Sequence, residues 1–344
     1  MKIRNLLFVL ALLPMLAAAE KPVKKISKPV KQPFVAMFYN VENLYDTIND
    51  PKINDDEFTP SAKVSWTKAR LETKIKHTAQ VITDIASPAM PDLIGFAEIE
   101  NQQVLEMLTT SAELSKTKYS IVHYDSPDER GIDAAILYNP ATFKVVLSEP
   151  LRVTLPDNDL TRDILYVKGK LNSGEILHVF INHWPSRREG SEISAAKRMA
   201  AANVLRAKLD AIQKLEKSPN ILILGDFNDE PSDKSITEGL KALSPDQAIS
   251  NNNLYGLLYP EFKKGEGSLF YKDWDLFDQI IVSGNLLSTK KGIRTSVSDA
   301  GIFKADYLLF KNKTGESRPN RTMSGDKYFG GYSDHLPVYV RFAL

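Results

Sequence analysis

The chain has no cysteine among its 344 residues. Disulfides and thiolate chemistry are therefore excluded, and the fold must hold through its core alone. An excess of charge of either sign is also missing. The formal net charge is +1, too small for a broad basic field, so a polyanion must be met by a local patch. There is no P-loop and no Ser or Cys nucleophile motif, which removes two large groups of catalytic schemes. Beyond the N-terminus no apolar run is long enough to span a bilayer. Solenoid-type repeats are absent too.

The rest of the composition is that of an ordinary globular protein, 43% hydrophobic and 25% charged. The N-terminus stands apart. Lys2 and Arg4 precede an apolar run from Leu6 to Leu16, and Ala17-Ala18-Ala19 supplies small residues for cleavage. This pattern predicts a secretory signal over residues 1–19 and a periplasmic or secreted bacterial protein, with no membrane anchor in the mature chain. Loss of Lys2 and Arg4 would bring the net charge to −1. Residues 20–33 are rich in Lys and Pro and read as a solvated linker. No long linker divides the remainder, so residues 34–344 are expected to form one domain, monomeric in solution.

Along that domain, buried strands are expected at 34–39, 93–97, 132–138, 164–171, 176–181, 221–224, 277–282 and 338–342, with weaker ones at 119–123, 143–147 and 302–310. Helices are expected at 63–86, 102–110, 194–215 and 233–243. In the first of these, Leu71, Ile75, Thr78, Ile82 and Ile85 share a face, and His77 falls off it toward the surface. Residues 43–62 carry five carboxylates, among them Asp46, Asp50 and Asp55, without EF-hand spacing, and read as a solvated loop. Residues 244–276 and 284–330 read as irregular, the former with aromatic residues expected to pack beneath a loop. Two sequons, at Asn312 and Asn320, carry meaning only in a eukaryotic secretory route.

One stretch anchors the functional reading: Ile221-Leu222-Ile223-Leu224-Gly225-Asp226-Phe227-Asn228. Four aliphatic residues predict a strand buried on both faces, and a glycine permits a tight turn. Asp226 and Asn228 then stand at the strand end, where a rigid scaffold meets solvent. Similar polar residues close other strands: Asn40, Glu98, Asp133, His183, Asp278, Asp334 and His335. Carboxylate and amide oxygens suit Mg²⁺, with Mn²⁺ or Ca²⁺ as alternatives, rather than Zn²⁺. Histidines beside such a set can act as acid, base or phosphate partner. Together these groups suit displacement at phosphorus.

These segments carry a resemblance. Phe38-Tyr39-Asn40-Val41-Glu42-Asn43, Ala97-Glu98-Ile99-Glu100-Asn101, Asn182-His183-Trp184-Pro185-Ser186, Gly225-Asp226-Phe227-Asn228, Phe277-Asp278-Gln279-Ile280 and Ser333-Asp334-His335 resemble, in order, the motifs of the endonuclease/exonuclease/phosphatase family, which has the DNase I-like fold. The resemblance implies a four-layered α/β/β/α sandwich of two mostly antiparallel sheets. It implies Glu98 as the principal metal ligand, with Asn40 and Asp334 beside the metal. By the same resemblance His335 is the general base, Asp278 orients it, and His183 contacts the scissile phosphate or assists the leaving group. Asp226 and Asn228 position the nucleophile or leaving oxygen. Asn182, Arg130, Asp133, Arg162 and Arg187 are placed with the substrate, Asp133 supporting the second histidine, and Arg188 is a further phosphate candidate. His123 and His178 lie on expected strands and read as structural.

The expected activity is a divalent-metal-dependent phosphodiesterase acting on nucleic acid or another phosphodiester. Alternatives are a lipid phosphodiesterase of the sphingomyelinase kind, a phosphomonoesterase, or a noncatalytic metal-binding module on the same scaffold.

Overall fold

Alternation within two strands sets the layers. In strand β1 (Phe34–Leu44), Val35, Met37, Tyr39 and Val41 enter one hydrophobic cluster, while Phe34, Ala36 and Phe38 enter another. In a strand, successive side chains face opposite sides of the sheet, so β1 is buried on both faces. The anchoring stretch behaves the same way: Leu222 and Leu224 share the second cluster with β1, whereas Ile221 and Ile223 join a third. Two sheets facing each other across the shared cluster, each backed by helices, account for this pattern.

The computed structural model describes residues 32–156, 159–313 and 315–344. The expected signal segment 1–19 and linker residues 20–31 lie outside the described residues. Residues 32–344 cluster as one unit by their contacts.

In chain order the strands of the two sheets are β1, β2 (Leu93–Ile99), β3 (Ser120–His123), β4 (Asp133–Tyr138), β5 (Phe143–Leu151), β6 (Ile164–Leu171), β7 (Ile176–His183), β8 (Ile221–Asp226), β9 (Ala242–Leu243), β10 (Leu254–Gly256), β11 (Asp278–Ser283), β12 (Ala300–Ile302) and β13 (Val338–Phe342). One sheet has the order β12-β13-β1-β2-β4-β3 and the other β5-β6-β7-β8-β11-β10-β9. Most neighbours are antiparallel, with β1 and β2, β7 and β8, and β9 and β10 parallel. Helices α1 (Lys68–Ile85) and α2 (Gln102–Thr109) cover the first sheet through Leu71, Ile75, Ile82, Val104 and Leu105. Helix α3 (Ser191–Leu215) covers the second through Ala201, Leu205, Leu209 and Ile212. Asn101 caps α2 by accepting the N–H of Val104 at 3.0 Å, which ends β2 and turns the chain away from the site. The architecture is the expected α/β/β/α sandwich.

Several local expectations are corrected. β1 runs to Leu44 rather than stopping at 39, because its strand-end polar groups are themselves buried. The helix expected at 233–243 is a π-helical turn, Ser235–Leu240, followed at once by β9. The strand expected at 302–310 is broken into β12, a 3-10 turn at Asp306–Leu308 and a strand at Leu309–Lys311. Asp46 and Asp55 are buried and accept the backbone N–H groups of Ile48 and Asp50, so this loop is internally bonded rather than simply solvated. His77 is not free on the surface. It stacks on Tyr332 at 4.1 Å between ring centroids, with Nδ1 3.1 Å from the Gly331 carbonyl.

Candidate active site

Three neighbouring strands of the second sheet end in one row. His183 on β7 is paired with Asp226 on β8, and Asp226 is paired with Asp278 at the start of β11. Directly paired residues lie side by side on one face. Gly225 makes this register possible: a Cβ there would meet Asn182 Cβ and its carbonyl oxygen at 2.5 Å. Any side chain at 225 would push β7 away from β8.

The facing sheet supplies the next member. Asn40 on β1 donates from Nδ2 to Asp226 Oδ2 at 3.1 Å. The last member comes from the turn before β13. Ser333 Oγ donates to the Asn40 carbonyl at 2.7 Å, and the His335 N–H donates to Ser333 Oγ at 3.1 Å. This places His335 Nδ1 2.7 Å from Asp278 Oδ2. Its Nε2 lies 3.8 Å from Asp226 Oδ2 and 4.0 Å from Asp334 Oδ1. Asn228 completes the loop after β8 in a left-handed conformation (φ +50°), with its N–H donating to Asp226 Oδ1 at 2.9 Å and Nδ2 donating to the Trp184 carbonyl at 3.0 Å. Glu98 is also left-handed (φ +65°) and accepts the Asn43 N–H at 2.9 Å. Left-handed non-glycine residues concentrate where surrounding structure over-determines the backbone.

The surroundings of the two histidines push their pKa values in opposite directions. Burial pushes His183 well below its usual range, and the cationic Arg162 and Arg130 push in the same direction. His183 is therefore neutral, and its buried Nδ1 has no hydrogen-bond partner. For His335 burial also acts to lower the pKa, but Asp278 and then Asp226 outweigh it and carry the imidazole well above its ordinary value. Asp226 itself is pushed up to about 6 by burial, against the pull of His335. Environments that push paired titratable groups apart are the usual basis of acid and base assignments.

The site opens into a cleft of about 810 Å³ whose walls include Arg188, Asn228, Tyr271, Arg321, Asp334 and His335. Among the described residues, Asp226, Asp278 and His335 form one group whose ligand atoms lie within 4.8 Å of one another; His123, Asp125 and Asp133 form another. Glu98, Asn40 and Asp334, the ligands expected from the sequence, offer carboxylate and amide oxygens, a donor chemistry that suits a divalent cation of the Mg²⁺ class; Asn40 Oδ1 accepts the Glu42 N–H at 3.0 Å. Occupation of the first group instead would compete with the Asp278–His335 hydrogen bond.

A model of the Endonuclease/Exonuclease/phosphatase family matches residues 35–343. The chain belongs to this family. Solved structures share its fold at low identity. The human Nocturnin catalytic domain with bound sulfate is 17% identical over 91% of this chain and 95% of that one, with a TM-score of 0.55. A family protein from Bacteroides thetaiotaomicron is 15% identical over 90% and 98%, also at 0.55. A humanized D. rerio TDP2 is 14% identical over 91% and 100%, again at 0.55. No curated protein sequence matches the chain.

Other residues selected from the sequence are bonded mainly within the fold, though Arg187 also lines the cleft. Asn182 donates to the Leu224 carbonyl and accepts from Trp184 Nε1, so its amide ties β7 to β8. Arg162 is a buried strut: it binds Asp128 at 3.1 Å and donates to the carbonyls of His183 and Trp184. Arg187 joins the Asn228 carbonyl, Asp229 and Asp233. Asp133 meets His123 at 3.1 Å and accepts the Ser126 N–H. Arg130 donates to Asn43 at 2.6 Å and lies 4.0 Å from Glu98, alongside the metal-ligand candidate. His178 is structural as expected, held between Tyr166 and Glu216.

Two contributors escaped the sequence reading. Arg321 bridges Asp334 at 3.0 Å and Glu42 at 3.2 Å on the rim of the cleft. Ser268 is fully buried, and its hydroxyl donates to Asp278 Oδ2 at 2.5 Å, the oxygen that also meets His335. Neither lies in a strand-end motif, so no local pattern marks them. Ser268 is a positioning residue. Ser268→Ala is expected to lower kcat about tenfold with little change in KM, since a hydrogen bond to a charged group contributes about 1.5–3 kcal/mol. Without this donor the carboxylate attracts the imidazolium proton more strongly, so the acid limb of the kcat/KM profile should move to higher pH. Ser268→Thr should restore both. An unchanged pH profile would remove Ser268 from the account.

Proposed function

We propose that this chain is a divalent-metal-dependent phosphodiesterase of the nuclease type, exported through its N-terminal segment. The observation that supports this most is the convergence of Asn40, His183, Asp278 and His335, distant in sequence, around Asp226, with His335 opening onto the cleft. Membership of the Endonuclease/Exonuclease/phosphatase family sets the reaction class, phosphoester hydrolysis. Among the described residues no helix is long and apolar enough to cross a membrane.

In this reading Glu98, Asn40 and Asp334 hold the cation. When bound, it neutralises developing charge on the phosphoryl oxygens. His335 takes a proton from the attacking water at Nε2, while Asp278 fixes the ring at Nδ1 and stabilises the imidazolium that results. Neutral His183 lies beside Asp226, and the Asn228 side-chain amide, with one N–H on the Trp184 carbonyl, borders the cleft; each can donate to a phosphate oxygen without carrying net charge. Asp226 is held in place from two sides by Asn40 and the Asn228 N–H.

The test is a turnover panel with Mg²⁺ or Mn²⁺ covering single- and double-stranded DNA, RNA, sphingomyelin, inositol phosphates and a generic diester. A diester should be hydrolysed, EDTA should abolish turnover, and added metal should restore it. Failure on every phosphoester, or full activity in EDTA, would overturn the proposal.

A further inference from the structure

Beside the catalytic cleft lies a smaller cavity of about 200 Å³, lined by Phe310, Arg318, Pro319, Asn320, Arg321 and Phe329. Two short hairpins build it, Leu309–Lys311 with Ser317–Pro319 and Met323–Ser324 with Lys327–Tyr328. Its two phenyl rings are unusual for their position: Phe310 is 47% exposed and Phe329 51%. Each has a cation over it, Arg318 at 5.4 Å from the Phe310 centroid and Lys327 at 5.1 Å from that of Phe329. Arg321 lines both this cavity and the catalytic cleft, and it binds Asp334, the neighbour of His335. The hairpin carrying Leu269 and Phe270, which borders the cleft, packs against Ser317–Pro319, so the two spaces are neighbours.

We infer that this cavity receives a nucleobase flanking the scissile phosphate, and that the substrate is a single-stranded nucleic acid. This rests on the phosphodiesterase reading above and names its substrate class. The cavity is smaller than the about 300 Å³ at which pockets begin to hold a drug-sized ligand, which suits one flat ring system. Exposed aromatic faces flanked by cations are the means by which proteins bind single strands: bases stack on the rings while the cations follow the backbone. A duplex keeps its bases stacked on one another and has no unpaired ring to place there. Arg321 joins the two halves of this recognition, because one side chain borders both the base cavity and the carboxylate beside the catalytic histidine. In the cleft lining itself, Tyr271 is 77% exposed with Lys272 Nζ 5.6 Å from its centroid, a further aromatic–cation pairing.

The test measures binding, in EDTA so that nothing is cleaved, by fluorescence anisotropy. The probes are a short single-stranded oligonucleotide, the same backbone without bases, and the matching duplex. The wild-type protein should bind the base-bearing strand about tenfold more tightly than the abasic one, given the usual contribution of one stacked base. Phe310→Ala with Phe329→Ala should abolish that preference while leaving abasic affinity unchanged, and Phe310→Tyr with Phe329→Tyr should keep it. If the double Ala variant does not fold, Phe329→Ala alone carries the test and should reduce the preference. Equal wild-type affinity for base-bearing and abasic strands would overturn the inference. So would an unchanged preference in the Ala variants, or a duplex bound as tightly as the single strand. Anionic vesicles that displace the strand only from protein with both phenylalanines would reassign the cavity to lipid. A failed phosphodiesterase reading shows itself separately, as absent turnover with Mg²⁺ or Mn²⁺ whatever the anisotropy result.

Discussion

His335→Ala is expected to lower kcat for phosphodiester hydrolysis by about 10²–10⁴-fold, the usual worth of a positioned general base. KM should change little, because the ring takes its proton in the reaction rather than holding the ground-state phosphate. The expectation follows from how completely the imidazole is fixed. Nδ1 is held at 2.7 Å by Asp278, the backbone N–H is held by Ser333, and Leu269 forms a β-bridge to the same residue. Nε2 is left facing Asp226 and Asp334. The acid limb of the pH–rate profile should vanish together with the rate. A variant with wild-type kcat would show that another group accepts the proton.

The second large effect concerns stability rather than rate. Lys74→Met is expected to destabilise the protein by about 3 kcal/mol in urea unfolding at pH 8, near the low end for breaking a buried ion pair. Lys74 is fully buried within α1. Its Nζ donates to Thr322 Oγ1 at 2.5 Å and to the Tyr332 carbonyl at 2.6 Å. Glu42, also buried, accepts the Thr322 N–H at 2.5 Å, so the opposite charges meet through one residue. Burial pushes Glu42 up to about 7, against the pull of Lys74 and Arg321, and burial brings Lys74 down to about 8. Loss of Lys74 leaves Glu42 with Arg321 alone, which is why the low end applies. The sign with pH follows. Glu42 has a raised pKa in the fold, so its charged form costs stability above pH 7, and that cost is relieved as pH falls and the carboxyl protonates. The penalty of Lys74→Met should therefore shrink toward pH 5, and adding Glu42→Gln should recover most of it at pH 8. A penalty independent of pH would show that packing, not charge, is what the lysine supplies.

Local signals in the sequence were strong where burial is two-sided. Ile221 to Leu224 reads as a buried strand because all four residues lie in cores, and the α1 stripe reads as a helix because Leu71, Ile75 and Ile82 share one cluster. The pairing of strands was not legible from periodicity. Nothing local to β8 states that β7 lies parallel on one side and β11 antiparallel on the other; the ordered motifs carried that information through family resemblance. The segments read as irregular, 244–276 and 284–330, form short strands and hairpins that depend on distant partners. The Ser268–Asp275 loop is an example, fixed by the Ser268–Asp278 hydrogen bond and by the Leu336 N–H donating to the Ser268 carbonyl.

At the site, the strand-end acids and histidines were legible because their chemistry and position coincide. The arginines were less so. Arg187 and Arg188 line the cleft, whereas the guanidinium of Arg162 is engaged by Asp128 and nearby carbonyls, and that of Arg187 also by Asp229, internal work that forked donors suit. Arg321 lacks any motif and is identified only by what surrounds it.

The central claim is that Asp226, from the stretch Ile221 to Asn228, and His335, more than a hundred residues later, act as one hydrolytic unit. A double-mutant cycle on kcat tests it most directly, with Asp226→Asn, His335→Ala and the double variant assayed on one generic diester with Mg²⁺. Residues that act as a unit are strongly non-additive, so the double variant should lose little more than His335→Ala alone. Losses that multiply across the cycle would mean the two side chains act independently, and would contradict the account.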